Sequence, residues 1–467
     1  VLLMFSIQQF PNACVDFFND TLQKVLCHQV SLAQVSQNLN QFLLMSGASL
    51  MKNVLEQLDT AIYESVKPTH RYRVKELRSR TLTTIWGDVT FKRKYYQDMQ
   101  GSSYHYLLDE WLDLEKYAHI DPLCQATLAA HAANVSYSKA AELTAPQGIS
   151  AQSVLHTIRK MGTIPNDAAA MPAPKPGIQQ VYVEADEDHT AMQRTHNKQM
   201  KLITVYESKK EVGKGRRVLC GRRSFSGLEP PSALWPEVDR YIATVYGQGN
   251  TKPQVMIKGD AANWIQAGIH YVGYSHTVVD GYHISQYIRK IAGNGDSMPL
   301  YRALRDNDPK KFIKEVQKKY AHNPKRKKLI ETGRQYILSN WDGIHETLTV
   351  PEAASSTEGH VSHILSERLS SRGMGWSPIG AEQMARMRTY VANGGNLVEY
   401  ALAHCHRAEK QVLPDVDNTA LQTSCKRHQL SYYTDIPSEA AHMPGREFQR
   451  TGGWMRLIED SGYQHLM

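Results

Sequence analysis

The spacing of apolar positions changes texture several times along the chain, and each change marks a different element. From residue 13 to 67 apolar residues recur at helical spacing, with no proline between Pro11 and Pro68, which predicts helix. "RTLTTIWGDVTFKRKYYQD", residues 80–98, then alternates apolar and polar positions on both sides of Gly87 and Asp88, the pattern of a β-hairpin. Between residues 136 and 162 a short helix stops near Pro146 and Gly148, and a second starts at Ser150, a good N-cap. On that second helix Val154, Leu155, Ile158 and Met161 form an apolar face. Gln152, Ser153, His156, Arg159 and Lys160 are left facing outward. A packed face opposite a polar, basic one is how a helix-turn-helix recognition helix is built, although helical pairs are common in other settings.

Residues 163–177, "TIPNDAAAMPAPKPG", hold almost no large apolar side chain and read as a linker. Beyond them the period drops to two. Val181 and Val183 belong to one strand, residues 201–208 to a second and "RRVLCGRRSF" to a third, in an antiparallel meander. "QVMIKGD" (254–260) and "HTVVDGYH" (276–283) are two further strands, each followed by a helical pattern. Together they predict a mixed α/β sheet covered on both faces. From about residue 426 to the last residue the chain is polar and broken by proline and glycine, so partial disorder is expected.

Composition narrows the class. With 41% hydrophobic and 21% charged residues the 467-residue chain has an ordinary soluble make-up, long enough for several domains. The balance of 54 Lys and Arg over 46 Asp and Glu is a modest basic bias, compatible with a polyanionic partner. It is concentrated in residues 309–328, "PKKFIKEVQKKYAHNPKRKK", where nine cations face one acid. Such a run is usually a solvated helix surface, and here its density favours contact with a nucleic-acid backbone. Lys92, Arg93 and Lys94 beside two tyrosines stand evenly between a solvated strand and a phosphate-contacting surface. Six scattered cysteines without a C-x-x-C pair suit reduced thiols. The opening "VLLMFSIQQF" lacks the features of a signal peptide and no run of about 18 apolar residues occurs, so a cytoplasmic location is expected.

Three carboxylates stand where strands end or where a helix can present them to a sheet. Asp186 closes the first strand and Asp260 the fourth, while Glu358 shares a helical stripe with Val361 and Leu365. Three converging acids repel one another unless cations sit between them, and hard oxygen ligands favour Mg²⁺ or Mn²⁺. Two such ions about 4 Å apart are suited to phosphodiester displacement. Strand alternation puts Glu184, Asp186 and Asp188 on one face, so periodicity does not choose among them. Asp186 lies nearest the point where the apolar alternation ends, and Asp188 with His189 is the runner-up, with capping as the plain reading. Asp280 and His283, spaced Asp-x-x-His, fit either a helix N-cap with a nearby imidazole or a functional pair. His360 and His363 follow Glu358 without the H-E-x-x-H order of a zinc motif, and the Cys405, Cys425 and His428 set matches no strong zinc spacing.

"YVEADEDHTAMQ", "IKGDAANWI", "VVDGYHISQYI" and "EGHVSHILSERLSSRGMGWS", with "TTIWGDVTFKRKYY" and "YLLDEWL" upstream, resemble the ISLre-two insertion-sequence transposases. That bacterial group, also catalogued as an uncharacterised protein family, is akin to the Mutator-like Asp-Asp-Glu transposases. The resemblance covers about residues 70 to 400. It implies an RNase H-like catalytic domain with a helical insertion, preceded by a mostly helical DNA-binding region with a helix-turn-helix. The domain plan is then a helical region 1–70, a hairpin and helix-turn-helix region 71–162, the linker 163–177, and a catalytic domain in two parts, 178–295 and 351–400. A basic helical insertion, 296–350, separates the two parts, and a tail follows over 401–467. Asp186, Asp260 and Glu358 would be catalytic and hold two Mg²⁺ (or Mn²⁺) ions, with Asp188, His189, Asp280, His283 and His363 nearby. Gln152, Ser153, Arg159, Lys160, Lys318, Lys319, Lys325, Arg326, Lys327 and Lys328 would contact DNA, the partners being terminal inverted repeats and target DNA. A homodimer or higher oligomer near the nucleoid is implied. An inactive DNA-binding derivative and a non-transposing nuclease are the alternatives. The chain departs from the family pattern at Ala261, where glycine is usual, at Gly373, where proline is usual, and at Thr190, where valine is common.

Overall fold

The computed structural model describes residues 10–145, 148–213, 216–247, 252–322, 324–350 and 357–405, without the side chains of 216, 322, 324, 357, 358 and 405. The polar tail beyond residue 405, with Cys425 and His428, lies outside them. The chain divides into two compact units between His119 and Ile120.

In the first unit the predicted helical stretch is two helices, α1 (Phe10–Leu26) and α2 (Leu32–Val66). His28 takes a φ of 56° between them, and Ser31 opens α2 with a capping box completed by Gln34. β1 (Tyr72–Thr84) and β2 (Gly87–Asp98) form the hairpin, followed by β3 (Tyr104–His105) and α3 (Leu107–Trp111). The turn falls earlier than expected, on Ile85 and Trp86, because Gly87 already pairs with Thr84. Leu55, Ile62 and Val66 of α2 bury against Leu82, Val89, Phe91 and Tyr96 of the hairpin. Arg93 and Lys94 are not a surface for phosphate: Arg93 pairs with Asp109 at 3.0 Å and Lys94 with Asp59 at 2.8 Å.

The second unit is a mixed α/β body. Three helices lead in, α4 (Pro122–Ala132), α5 (Tyr137–Thr144) and α6 (Ala151–Met161). Ser150 caps α6 as the sequence predicts, its hydroxyl accepting from the Ser153 N–H. The sheet follows as β4 (Gln180–Thr190), β5 (Lys198–Tyr206), a side hairpin β6 (Ser208–Gly213) and β7 (Arg216–Cys220), and β8 (Arg223–Gly227). "RRVLCGRRSF", read as one strand, is therefore two. Gly221, at φ 63°, breaks it, and only the second piece joins the main sheet. Helix α7 (Pro231–Tyr246) leads to β9 (Gln254–Gly259), α8 (Asn263–Gln266), β10 (Ser275–Val279) and α9 (Gly281–Ala292). The strand order is β10-β9-β4-β5-β8, with β4 central, β5 and β8 antiparallel in sequence, and β9 and β10 parallel to β4 on the other side.

One sheet face is apolar: Val181, Val183, Ala185, Ile203, Val205, Val255 and Ile257 bury against Trp235, Val238 and Ile242 of α7. The insertion consists of α10 (Met298–Arg305), α11 (Pro309–His322), α12 (Lys327–Ser339) and α13 (Trp341–Thr349). These build their own core on Ile284, Ile288 and Ile291 of α9. The chain then returns over the second sheet face as α14 (Thr357–Val361), a π-helical turn (Ser362–Ser366), α15 (Glu367–Leu369), α16 (Pro378–Ala392) and α17 (Leu397–Cys405). α14 packs on β4 and α16 on β8.

The expected linker is a packed segment without helix or strand. Ile164 and Ala169 are buried, and Asn166 lines the outer edge of β8. Its amide donates to the Ser226 carbonyl at 3.3 Å and its oxygen accepts from the Ser226 N–H at 3.1 Å. Asn393 does the same for Ser224, at 2.8 Å both ways. Two asparagine side chains thus satisfy an edge strand that would otherwise offer bare main-chain groups. The Arg223 guanidinium donates to the carbonyls of Asn166, Ala169 and Ala170.

Candidate active site at the ends of the parallel strands

Register aligns the acids. Glu184 pairs with Lys258 across β4 and β9, and Gly259 with Val279 across β9 and β10. Counting on past the paired residues, Asp260 and Asp280, each one residue beyond its strand, come level with Asp186 on β4. Asp186 does not close its strand: β4 runs on to Thr190 against β5, and only the parallel pairing to β9 stops at Glu184. The central strand outruns its parallel neighbour, leaving Asp186 beside an open end.

Each of the three carboxylates has one oxygen tied to a nearby main-chain N–H: Asp186 to Glu187 and Asp260 to Ala262, both at 2.8 Å, and Asp280 to Tyr282 at 2.7 Å. No hydrogen-bond donor among the described residues takes the second oxygen of any of them. Burial first, and then the charges of Asp260, Glu187 and Asp280, push the Asp186 carboxyl up to about 7 against the pull of the Glu187 N–H. Neighbouring acids with unclaimed oxygens in a half-buried place are a donor set that suits a hard divalent cation. Among the described residues no three acid, imidazole or thiol groups are gathered closely enough to hold an ion by themselves. The third acid of the sequence reading, Glu358, lies on α14, and its side chain is outside the description. Val361 and Leu365, the other members of its stripe, are buried as predicted.

The remaining predicted neighbours divide. Asp280 caps α9, so the plain reading holds for it, and its charge also reaches Asp186. His283 is half-buried, with Nδ1 buried and lacking a hydrogen-bond partner among the described residues. His189 is exposed and, by alternation, on the opposite face of β4 from Asp186. His363 is exposed too. The imidazole that turns toward the sheet is His360, with Nε2 3.9 Å from Glu184 Oε2. Asp188 is buried among hydroxyls, with Oδ1 accepting from Ser366 at 2.7 Å and Ser370 at 2.8 Å, and Oδ2 from Thr190 at 3.0 Å. Both of its oxygens are engaged inside the protein.

Sequence reasoning missed the buried pair beneath the row. Glu184 and Lys258 are both fully enclosed on the face that carries Asp186. Tyr206 links them, donating to Glu184 Oε1 at 2.9 Å and accepting from Lys258 Nζ at 3.1 Å, while Lys209 reaches the same Oε1 at 3.1 Å. Tyr336 of the insertion was missed as well: its hydroxyl donates to the Asp260 carbonyl at 2.6 Å, and its ring stacks on Tyr287. The acid repeat at every second position of β4 was the available signal for the first. Nothing in the sequence pointed to the second.

Of the residues expected to meet DNA, Gln152, Arg159 and Lys160 are exposed on α6, opposite the buried Val154, Ile158 and Met161. The Ser153 hydroxyl is 2.9 Å from that of Ser150 and belongs to the cap. Lys318, Lys325, Lys327 and Lys328 are exposed, with Lys318 paired to Glu315. Lys319 and Arg326 instead donate to the carbonyls of Asp296 and Lys290, joining the basic helices to the end of α9. Among the described residues no helix is long and apolar enough to cross a membrane.

The sequence profile of an uncharacterised protein family, UPF0236, matches residues 26–405. A UPF0236 protein of Caldanaerobacter subterraneus subsp. tengcongensis is 29% identical over 407 residues, 85% of this chain and 86% of that protein. Another from the same strain, whose name carries eleven locus designations, is 30% identical over 398 residues, 84% and 83% of the two. A UPF0236 protein of Streptococcus gallolyticus, described by its place in the vanSb 3′ region, is 22% identical over 361 residues, 73% and 78%.

Proposed function

Since the chain belongs to the UPF0236 family, we propose, from its own geometry, that it is the DNA transposase of an insertion sequence. The observation that carries this reading is that Asp260, one residue past β9, comes level with Asp186 on the adjacent strand β4, with its charge acting on the Asp186 carboxyl, on the face to which the Glu358 helix returns. A five-stranded sheet with the first acid on its central strand, the second just past the parallel neighbour and a helical insertion before the third supports an RNase H-like catalytic domain. A relative whose single name spans eleven loci of one strain is what a self-copying element would leave behind.

In this reading Asp186, Asp260 and Glu358 hold Mg²⁺ or Mn²⁺, which when bound polarises the phosphodiester and lowers the cost of generating the attacking oxygen. Asp186 enters from β4 and Asp260 from the turn that directly follows the neighbouring strand β9, so the end of that strand sets their separation. The exposed face of α6 and the lysines of α11 and α12 supply backbone contacts to the element's ends.

The test is cleavage of linear DNA carrying the element's terminal inverted repeats. The wild type is expected to nick 3′ ends in Mg²⁺ and join them to target DNA. Asp260→Asn should lose cleavage by at least about 100-fold while binding the repeats as before. Full cleavage by that variant overturns the assignment. Repeat binding by the wild type without nicking in Mn²⁺ favours an inactive DNA-binding derivative, and nicking without joining favours a nuclease.

A further inference from the structure

Glu184, Asp186 and Asp188 stand at alternate positions of β4 and share one face. Of the three only the middle one, Asp186, is not fully buried. The outer two are enclosed, Asp188 bonded to the returning helical segment, residues 357–370, and Glu184 packed near it. Glu184 comes within 3.9 Å of His360, and Asp188 accepts from Ser366 and Ser370. From Glu184 to Asp188 a strand covers about 13 Å. From His360 to the two serines a helix rises about 9–15 Å, so strand and helical segment run alongside each other in matching step. The segment contains the π-helical turn Ser362–Ser366, which carries one of the two serines and is of a kind frequent at functional sites.

We propose that Asp188 is a positioning residue: through Ser366 and Ser370 it pins the segment that begins at the Glu358 helix to β4 beside Asp186, while Glu184 meets that segment only by packing near His360. The inference rests on the transposase reading only for the role of Glu358. Glu184 is held from below, because Tyr206, Lys209 and, through Tyr206, Lys258 fix its carboxylate. The Asp188 attachment is made of two hydroxyls spaced one turn apart on the segment. A strand with three acids on one face thus needs only one of them for cations. Asp188 sets where the third ligand stands.

The Asp188 clamp can be opened without touching an acid, by Ser366→Ala with Ser370→Ala in the full chain. Mn²⁺ uptake, followed by loss of the free-ion electron paramagnetic resonance signal without DNA, should weaken about tenfold, the scale of losing a group that orients a metal ligand. Turnover on repeat DNA should fall with it while KM stays unchanged. Asp188→Asn, which keeps the acceptor for both serines, should match wild type in both readouts, whereas Asp188→Ala should behave like the double serine variant. Melting curves identify any variant that fails to fold, in which case the single Ser370→Ala change, with a smaller loss, decides. A folded double serine variant that binds Mn²⁺ as tightly as wild type overturns the proposal, as does a wild type that takes up no Mn²⁺. Tight Mn²⁺ uptake by a wild type that cleaves no DNA sinks the transposase reading and leaves the clamp supported by the uptake measurements.

Discussion

Ala261 adopts a φ of 65° immediately after Asp260, in the left-handed region where a Cβ is costly. The turn that presents the second acid is therefore a glycine turn carried by an alanine, which fits the glycine expected at this position from the sequence pattern. Ala261→Gly is expected to stabilise the protein by about 0.5–1 kcal/mol, readable as a shift in denaturant midpoint without a change in slope. Part of the gain is offset because Ala261 packs against the insertion's core. Gly373 has a φ of 60°, closed to proline, whose ring holds φ near −65°. This turn is thus built differently from one that carries proline. Which of the three β4 acids is open to solvent and cations was not legible from their spacing. Alternation gives all three the same face, and what separates them is a pair of serines 178 and 182 residues beyond Asp188 and, for Glu184, the Tyr206 hydroxyl and Lys209.

At the level of elements, apolar periodicity found most of the helices and strands and misjudged their ends. β4 was expected to stop at its acids, since polar residues usually mark a strand's end. Pairing to β5 carries it to Thr190, with Asp188 and Thr190 buried by partners the local sequence does not contain. The two-asparagine edge of β8 is another feature that no periodicity reveals. Replacing Asn393 with alanine leaves the Ser224 N–H and carbonyl unpaired in a largely buried place, and about 1–3 kcal/mol of unfolding free energy should be lost. On α6 the predicted division between packed and outward faces is present, so its proposed role is testable separately from catalysis. Arg159→Ala with Lys160→Ala should weaken binding to repeat and random DNA alike and reduce the slope of log K against log salt by roughly 2. An unchanged slope would remove α6 from the interface.

At the scale of the molecule, the alternating strand and helix pattern gave the class of fold, while the grouping of its parts had to come from the structure. The break between compact units falls at His119, not in residues 163–177, because that segment spends its polar groups on β8 and its apolar ones on the core. α4 to α6 therefore belong to the same unit as the acids. Arg368 donates to the Ala132 carbonyl at 2.9 Å, Arg388 to that of Ala133 at 2.9 Å, and Gln383 to that of Ile158. The row of acids itself joins strands about 70 residues apart through a return of chain that local pattern does not encode.

A packed joint where a tether was expected has a consequence for the DNA. If α6 reads the element's end, the cut falls at a fixed count of base pairs from the sequence read, and on a fixed side of the double helix. Inserting about 5 bp between the two turns the scissile phosphate half a revolution away, and inserting about 10 bp restores its facing but not its distance. A protein with a loose tether would cut all three substrates. This one should cut only the native spacing, with the joint acting as a ruler marked in both length and phase.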